Sequence, residues 1–219
     1  MKKLIIVAVS AVFLMLSLTG CGGGGDSVPS TFTTQIISDP AFDGDIARDP
    51  VLGTFTVTQG NVQGLLAGID PATGVEFRAF LDFPLSGVGG VPLNAVVVRA
   101  ILDIFINNIS PQQLIGSLPI RVDLVSFQPP TLIGTDFDRT LQPALATTII
   151  FPPITQGDLN IHVPIDVTFL MQEAQRLSLS NFQVRILADF GVLSGLIEIN
   201  DTTGPNRSIL APLLEVEFF

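Results

Sequence analysis

The stretch Val75-Glu-Phe-Arg-Ala-Phe-Leu-Asp-Phe83 decides the fold class. Val75, Phe77, Ala79, Leu81 and Phe83 fall on one side of a period-two pattern, with Glu76, Arg78 and Asp82 on the other. Successive side chains of a strand point to opposite faces, so this alternation predicts a strand with one face against a core. Phe80 stands on the polar side, where an aromatic ring is either covered by a loop or left exposed as a contact surface.

The pattern recurs along the chain. In Ala95–Ile106, residues Val96, Val98, Ala100, Leu102, Ile104 and Ile106 share a face opposite Arg99 and Asp103. Ile120, Val122 and Leu124 alternate with Arg121 and Asp123, and Ile161, Val163, Ile165 and Val167 with His162, Pro164, Asp166 and Thr168. Phe182, Val184, Ile186 and Ala188 face away from Gln183, Arg185 and Asp189, and Leu214, Val216 and Phe218 face away from Glu215 and Glu217. Gly87-Val88-Gly89-Gly90 reads as a hairpin turn between the first two of these strands rather than a phosphate loop, since no helix follows it. Phe169–Leu177 breaks the pattern: it has no Gly or Pro, is rich in helix formers, and places Leu170, Met171, Ala174 and Leu177 at helical spacing behind Thr168 as N-cap. Many short strands separated by turns predict an all-β, jelly-roll-like antiparallel β-sandwich with one short helix, a single domain over residues 31–219.

The N-terminus has a different grammar. Lys2 and Lys3 precede an apolar run from Leu4 to Leu16, broken only by Ser10. Leu18-Thr19-Gly20-Cys21 closes it. A basic start, an apolar core shorter than the about 20 residues of a membrane span, and small residues at the end form a secretory signal peptide, residues 1–20. The ending resembles a bacterial lipobox. That resemblance implies that Cys21, the only cysteine, becomes the lipidated first residue and anchors the protein to a membrane. Gly22–Ser30 then reads as a flexible tether, residues 21–30. Gly22 and Gly23 carry no acidic retention signal, which by resemblance to known sorting points to the outer membrane, on its periplasmic or its surface face.

Without Lys2 and Lys3, the eight remaining arginines face 20 acidic residues, a net charge of −12. Such a surface repels nucleic acid. No cysteine follows Cys21, so no internal disulfide staples the domain, and stability must come from burial. No required cofactor is implied.

The order of the strand motifs resembles the bacterial surface domain family called DNRLRE. Arg78-Ala-Phe-Leu-Asp-Phe-Pro-Leu-Ser86 is similar to its "R-x-F-L-x-F-D-L-S" strand, and Ala95 onward to its "A-x-L-x-L" strand. Asp166-Val167-Thr168 is similar to its "D-V-T" segment, Phe182–Ile186 to its "G-F-x-L-x" strand, and Ala211–Val216 to its closing "R-P-x-L-x-V-x-Y". The resemblance implies a jelly roll related to carbohydrate-binding modules and wall-associated domains. Ala174 stands where that family usually has a helical Trp, and Phe218 where it has Tyr.

Four polar features bear on function. Asp39, Asp43, Asp45 and Asp49 cluster in one loop-like stretch, where Asp43, Asp45 and Asp49, with a distant Asp201, are candidate calcium ligands; the alternative is a solvated loop in which Asp caps turns. Sugars stack best on Trp or Tyr, and the chain has neither, leaving Phe80 as a substitute platform and the glycan-binding residues otherwise unassigned. His162, the only histidine, has no nucleophile-elbow sequence to serve and reads as an exposed strand residue. Carboxylate pairs for glycoside hydrolysis are not readable from spacing. The leading expectation is a membrane-anchored, non-catalytic structural or interaction module with an envelope protein or polysaccharide partner. The alternatives are an extracellular polysaccharide-binding module and an enzyme acting on envelope polysaccharide.

Replacing Cys21 with Ser removes the expected anchor and leaves an acidic domain with no affinity for anionic headgroups. The variant is expected in the soluble fraction after cell fractionation, and equal membrane retention of variant and native protein would refute the lipid anchor.

Overall fold

The computed structural model describes residues 30–111, 116–127, 131–192 and 194–219; the expected signal peptide, Cys21 and the tether up to residue 29 lie outside the described residues. Residues 31–219 form one compact unit. Its strands are β1 (Phe32–Ile37), β2 (Gly44–Arg48), β3 (Phe55–Gln59), β4 (Gly64–Ile69), β5 (Glu76–Pro84), β6 (Val97–Ser110), β7 (Ile120–Val125), β8 (Ala146–Ile149), β9 (His162–Asp166), β10 (Asn181–Ala188), β11 (Gly195–Asn200) and β12 (Leu213–Phe218). Helix α1 (Thr168–Arg176) and a single turn, α2 (Arg207–Leu210), complete the elements used below. The fold is all-β, a curled antiparallel sheet folded on itself as a jelly-roll-like sandwich.

The strand order is β1-β12-β6-β11-β4-β5-β10-β7-β8, with β9 on β6, β2 on β5, and β3 on β2. Curling requires a corner, and β6 supplies it: its first half pairs with β12 and its second with β11. Two register shifts mark the strand. Arg99 faces Glu217 and Val97 faces Phe218, so Val98 is an extra residue; Ile106 faces Ile199 and Asn108 faces Glu198, so Asn107 is another. A bulge inverts the facing of the residues beyond it. Val97 is therefore buried while Val96 and Val98 are exposed, contrary to the simple alternation expected for Ala95–Ile106. Ile106 and Ile109, three apart, are both buried for the same reason.

The main core takes Leu81 and Phe83 from β5, Leu102 and Ile104 from β6, Val122 and Leu124 from β7, Val184 and Ile186 from β10, and Leu214 and Val216 from β12. Helix α1 closes it with Leu170, Met171 and Ala174. Thr168 does not cap that helix by its side chain; its Oγ1 meets the Ala100 main chain, while Asp166 Oδ1 accepts the Thr168 N–H at 2.9 Å. The loop after β5 is not a hairpin. β5 and β6 do not pair, so Gly87–Gly90 lies in a crossover, tightened locally by Val91 N–H donating to the Leu85 carbonyl at 3.0 Å. Gly68, at φ +122°, sits where a Cβ would strike the Gly195 carbonyl oxygen, so the close approach of β4 and β11 requires glycine there.

A second, smaller core lies on the other face of β5. Ile46, Phe80, Val125, Phe127, Leu132 and Phe137 are buried together, with Phe80 edge-on to Phe127 at 5.8 Å. Phe80 is fully buried, so it cannot serve as a sugar platform; Phe127, Leu132 and Phe137 pack with it on that face.

Phe83 has no exposed surface and contacts Phe182 ring to ring at 6.2 Å. Phe83→Ala is expected to cost about 3–5 kcal/mol in denaturant unfolding, as loss of a buried aromatic ring does. Thr56→Ala, on exposed β3, is expected to change stability by less than about 0.5 kcal/mol. Comparable costs at the two positions would contradict the placement of the main core.

Candidate functional site

The second face of β5, β10 and β7 gathers charge as well as rings. Cross-strand register puts Phe80, Arg185 and Asp123 in one row. Arg185 is fully buried; its Nη2 donates to Asp123 Oδ2 at 2.9 Å and its Nη1 to the carbonyls of Asp136 and Gln142 at 2.9 and 3.1 Å. The other Asp123 oxygen accepts Thr147 Oγ1–H at 2.8 Å, and Arg139 Nε lies 3.1 Å from Oδ2. Arg78 rests on the Phe137 ring at 3.8 Å, donates to Glu76 Oε1 from Nε at 2.8 Å and Nη2 at 2.6 Å, and donates to the Phe137 carbonyl from Nη1. Burial lowers the pKa of Arg78 and Arg185 from the ordinary guanidinium value, opposed by Glu76 beside Arg78 and by Asp123 beside Arg185, with the Arg139 charge adding to the lowering of both.

These bonds fix the short 3₁₀ turn Gly134–Phe137 over the sheet. Asp136 Oδ2 accepts the Ile133 N–H at 2.9 Å and closes the turn. Gly134 lets the turn lie on Phe55, since a Cβ there would come within 3.2 Å of that side chain. The result is a cavity of about 460 Å³ lined by Arg48, Gly53, Phe55, Arg78, Phe137, Asp138 and Arg139.

The wall is not saturated. Arg48 is exposed at the end of β2 and forms no ion pair among the described residues. Arg139 uses Nε toward Asp123, and its Nη groups donate to no described residue. Phe55 is 44% exposed, and its ring is tilted against Phe137 at 5.3 Å. Two guanidiniums with free donors beside a half-open aromatic face can bind a carboxylate, sulfate or phosphate joined to a ring. The one carboxylate on the wall, Asp138, has Oδ1 occupied by the Thr140 N–H and hydroxyl at 2.7 Å each.

The aspartates expected to share calcium go to separate places. Asp49 caps the β2–β3 turn, accepting Val51 and Leu52 N–H at 2.7 and 2.9 Å. Asp45 is buried in β2 and accepts the Leu66 N–H at 3.0 Å; burial pushes its pKa to about 6. Asp43 is buried beside Asp201, its expected distant partner, and Asp43 Oδ1 accepts the Asp82 N–H at 2.8 Å. No set of three His, Cys, Asp or Glu side chains converges as a metal cluster among the described residues.

His162 is half-exposed on β9, with Nδ1 2.8 Å from Asp103 Oδ2 and its ring edge-on to Phe105. Burial raises the Asp103 pKa, opposed by the His162 charge. The shallow depression around this pair is lined by Gln35, Arg99, Ile101, Pro164, Leu213 and Glu215, none of which carries a hydroxyl or thiol nucleophile. Compared with known proteins, the chain matches no family model and no curated sequence.

Burial sets an expected pH dependence. Asp43, Asp45, Asp82, Asp103 and Asp201 hold their protons to higher pH in the fold than in the unfolded chain, with burial the leading cause for each. A raised carboxyl pKa contributes stability below the unfolded value and loses it as pH rises through the folded value. The melting temperature is therefore expected to rise as pH falls from about 7 to about 4. Further acidification then protonates Asp49, Asp70, Asp138 and Asp166, whose hydrogen bonds lower their pKa values, and stability falls again. Asp45→Asn keeps an acceptor for Leu66 and should flatten the slope around pH 6 in a thermal-melt series. A native optimum at or above about pH 8 would contradict this assignment.

Proposed function

We propose that the chain is a lipid-anchored, non-catalytic envelope module that binds an extracellular polysaccharide bearing spaced carboxylates, in the pocket between β2, β3, β5 and the segment Gly134–Arg139. The observation that carries this reading is the pair of unsaturated guanidiniums, Arg48 and Arg139, flanking the half-open Phe55 ring in a sugar-sized cavity. Pockets of this volume are typical of small-ligand sites. A carboxylate would meet the guanidiniums, while the apolar face of a pyranose would lie against Phe55.

Charge selects among anionic polymers. The full chain carries −10, so a densely charged polyanion is repelled at long range. A mostly neutral glycan with one carboxylate per repeat brings its charge only to the arginines, within a Debye length of about 8 Å. The lipobox-like Cys21 and the DNRLRE-like motifs support the same address, a cell envelope rich in polysaccharide.

Affinity electrophoresis in gels containing a polysaccharide with one uronate per repeat should retard the protein, and neutral dextran should not. Arg48→Ala removes an exposed side chain and is expected to weaken the interaction roughly tenfold, the effect of losing about 1.4 kcal/mol of charge-assisted hydrogen bonding. Raised salt should weaken it further. Equal retardation by neutral dextran, or no effect of Arg48→Ala, would rule out the pocket as a carboxylate-reading site.

A further inference from the structure

Helix α1 buries Leu170, Met171 and Ala174 and turns Phe169, Gln172 and Arg176 outward, at helical spacing. Two shallow depressions meet at Gln172. On one side it stands with Leu93 and Val96, on the other with Ile149, Phe151 and Phe169. These five apolar side chains are between 52% and 84% exposed. Strand pairing extends the surface. Val96 and Phe219 exchange main-chain hydrogen bonds at 2.8 and 3.2 Å. Phe218 faces Val97 on one side and Phe32 on the other, with the Phe32 and Phe218 rings 6.2 Å apart. Exposed Phe32, Val98 and Phe219 thereby carry the apolar run to the first residue of β1. The side-chain amides of Gln172 and Gln175 fix its middle, donating to the carbonyls of Val97 at 3.0 Å and Pro92 at 2.9 Å. Single exposed apolar residues need no account, but a contiguous run of them marks an interaction face.

The charges on this face oppose one another. Glu173 accepts from Arg176 Nε at 2.7 Å and Nη2 at 2.6 Å. Arg99 lies opposite Glu217 in the sheet, and its charge acts on Asp166. Protruding rings among balanced charges suit the boundary between lipid headgroups and acyl chains. Chain connectivity brings that boundary near. β1 begins at this face, and the ten residues 22–31 separate it from Cys21. Ten residues reach at most about 36 Å when fully extended, and a Gly-rich coil of that length spans about 16–19 Å on average. A lipidated Cys21 therefore keeps the face close to a bilayer, at an effective concentration of about millimolar.

We propose that α1, β8 with the residues after it, the starts of β1 and β6 and the end of β12 form a membrane-docking face, which seats Leu93, Phe151 and Phe169 among the headgroups of the bilayer holding Cys21. The inference rests on the lipid anchor within the proposed function and is independent of polysaccharide binding. The face acts only on an anchored chain. Without the lipid the local concentration is lost, so Cys21→Ser still partitions to the soluble fraction.

The chain has no Trp and no Tyr, so one introduced Trp reports its own surroundings. The full lipidated protein, carrying Leu93→Trp, Phe169→Trp or Val51→Trp singly, is reconstituted into phosphatidylcholine vesicles with plain or brominated acyl chains. All three positions are exposed, so the substitutions leave the core intact; Val51, in the β2–β3 turn, lines neither depression. Emission from Leu93→Trp and Phe169→Trp should shift to shorter wavelength and be quenched by the brominated lipid, while Val51→Trp should emit as a water-exposed ring. Adding Phe151→Glu and Phe169→Glu to Leu93→Trp should remove both signals. Protein that floats with the vesicles while positions 93 and 169 stay unquenched would overturn the docking and leave the anchor standing. Equal quenching at all three positions, or signals that survive the two glutamates, would also overturn it. A native chain that does not float would remove the anchor, and the docking with it. A blue shift without quenching by brominated lipid would give the face to a second copy of the chain instead.

Discussion

The ion pair between Arg185 and Asp123 is the constraint on which the half of the molecule around the arginine pocket depends. Both side chains are fully buried, and a buried guanidinium is tolerable only when its donors are engaged. Arg185 engages both Nη groups, reaching past Asp123 to the carbonyls of Asp136 and Gln142, two points on a segment with little regular structure of its own, while its Nε makes no hydrogen bond. That segment is thereby held against the sheet. It carries Leu132 and Phe137 onto Phe80, and Phe137 and Arg139 to the rim of the pocket. Removing Asp123 alone would leave one or two guanidiniums buried without a counter-charge.

The domain has no internal disulfide to hold it, since Cys21 is the chain's only cysteine. Burial takes that place, and it acts on both faces of the central strands. Helix α1 and the β12–β6–β9 layer cover one face of β5 and β10; Phe127, Leu132 and Phe137 pack on the other. Two bulges in β6 allow one strand to serve both layers. Carboxylates caught by this double coverage, Asp43, Asp45, Asp82 and Asp201 among them, become reluctant to ionise. The same packing that makes the fold stable thus makes it sensitive to protons near neutrality.

Charge is also sorted in space. Arg48, Arg78 and Arg139 line one pocket, with Arg185 buried beneath its 3₁₀ turn, and Arg121 reaches the same neighbourhood through the Phe190 ring, which Arg121 and Arg139 approach at 4.2 and 5.0 Å. On the seam joining the ends of β1, β5 and β11, Asp201 pairs with Arg207, whose charge also acts on Asp43. A strongly acidic chain therefore holds one local cluster of arginines and one of aspartates. Neither could be inferred from the net charge, which averages over both.

Period two alone determined that this chain is an antiparallel β protein, because Leu81, Phe83, Val122, Leu124, Val184, Ile186, Leu214 and Val216 have no favourable conformation except strands sharing one core. The helix at Thr168–Arg176 was equally legible, from its composition and the spacing of Leu170, Met171 and Ala174. Tertiary structure decided the rest. Burial of Phe80 depends on a segment about 50 residues downstream, and the facing of Val96 and Val98 depends on a bulge opposite Glu217 and Phe218. The aspartates that look like one cluster between residues 39 and 49 are dispersed by strand geometry, which turns Asp45 toward Leu66 and leaves Asp49 to cap a turn. Asp43 instead meets Asp201, and Arg48 meets Arg139, across separations no local pattern encodes. Local periodicity reports which face of a strand is apolar; which distant polar groups share that strand's other face is set only when the sheet curls and its layers close.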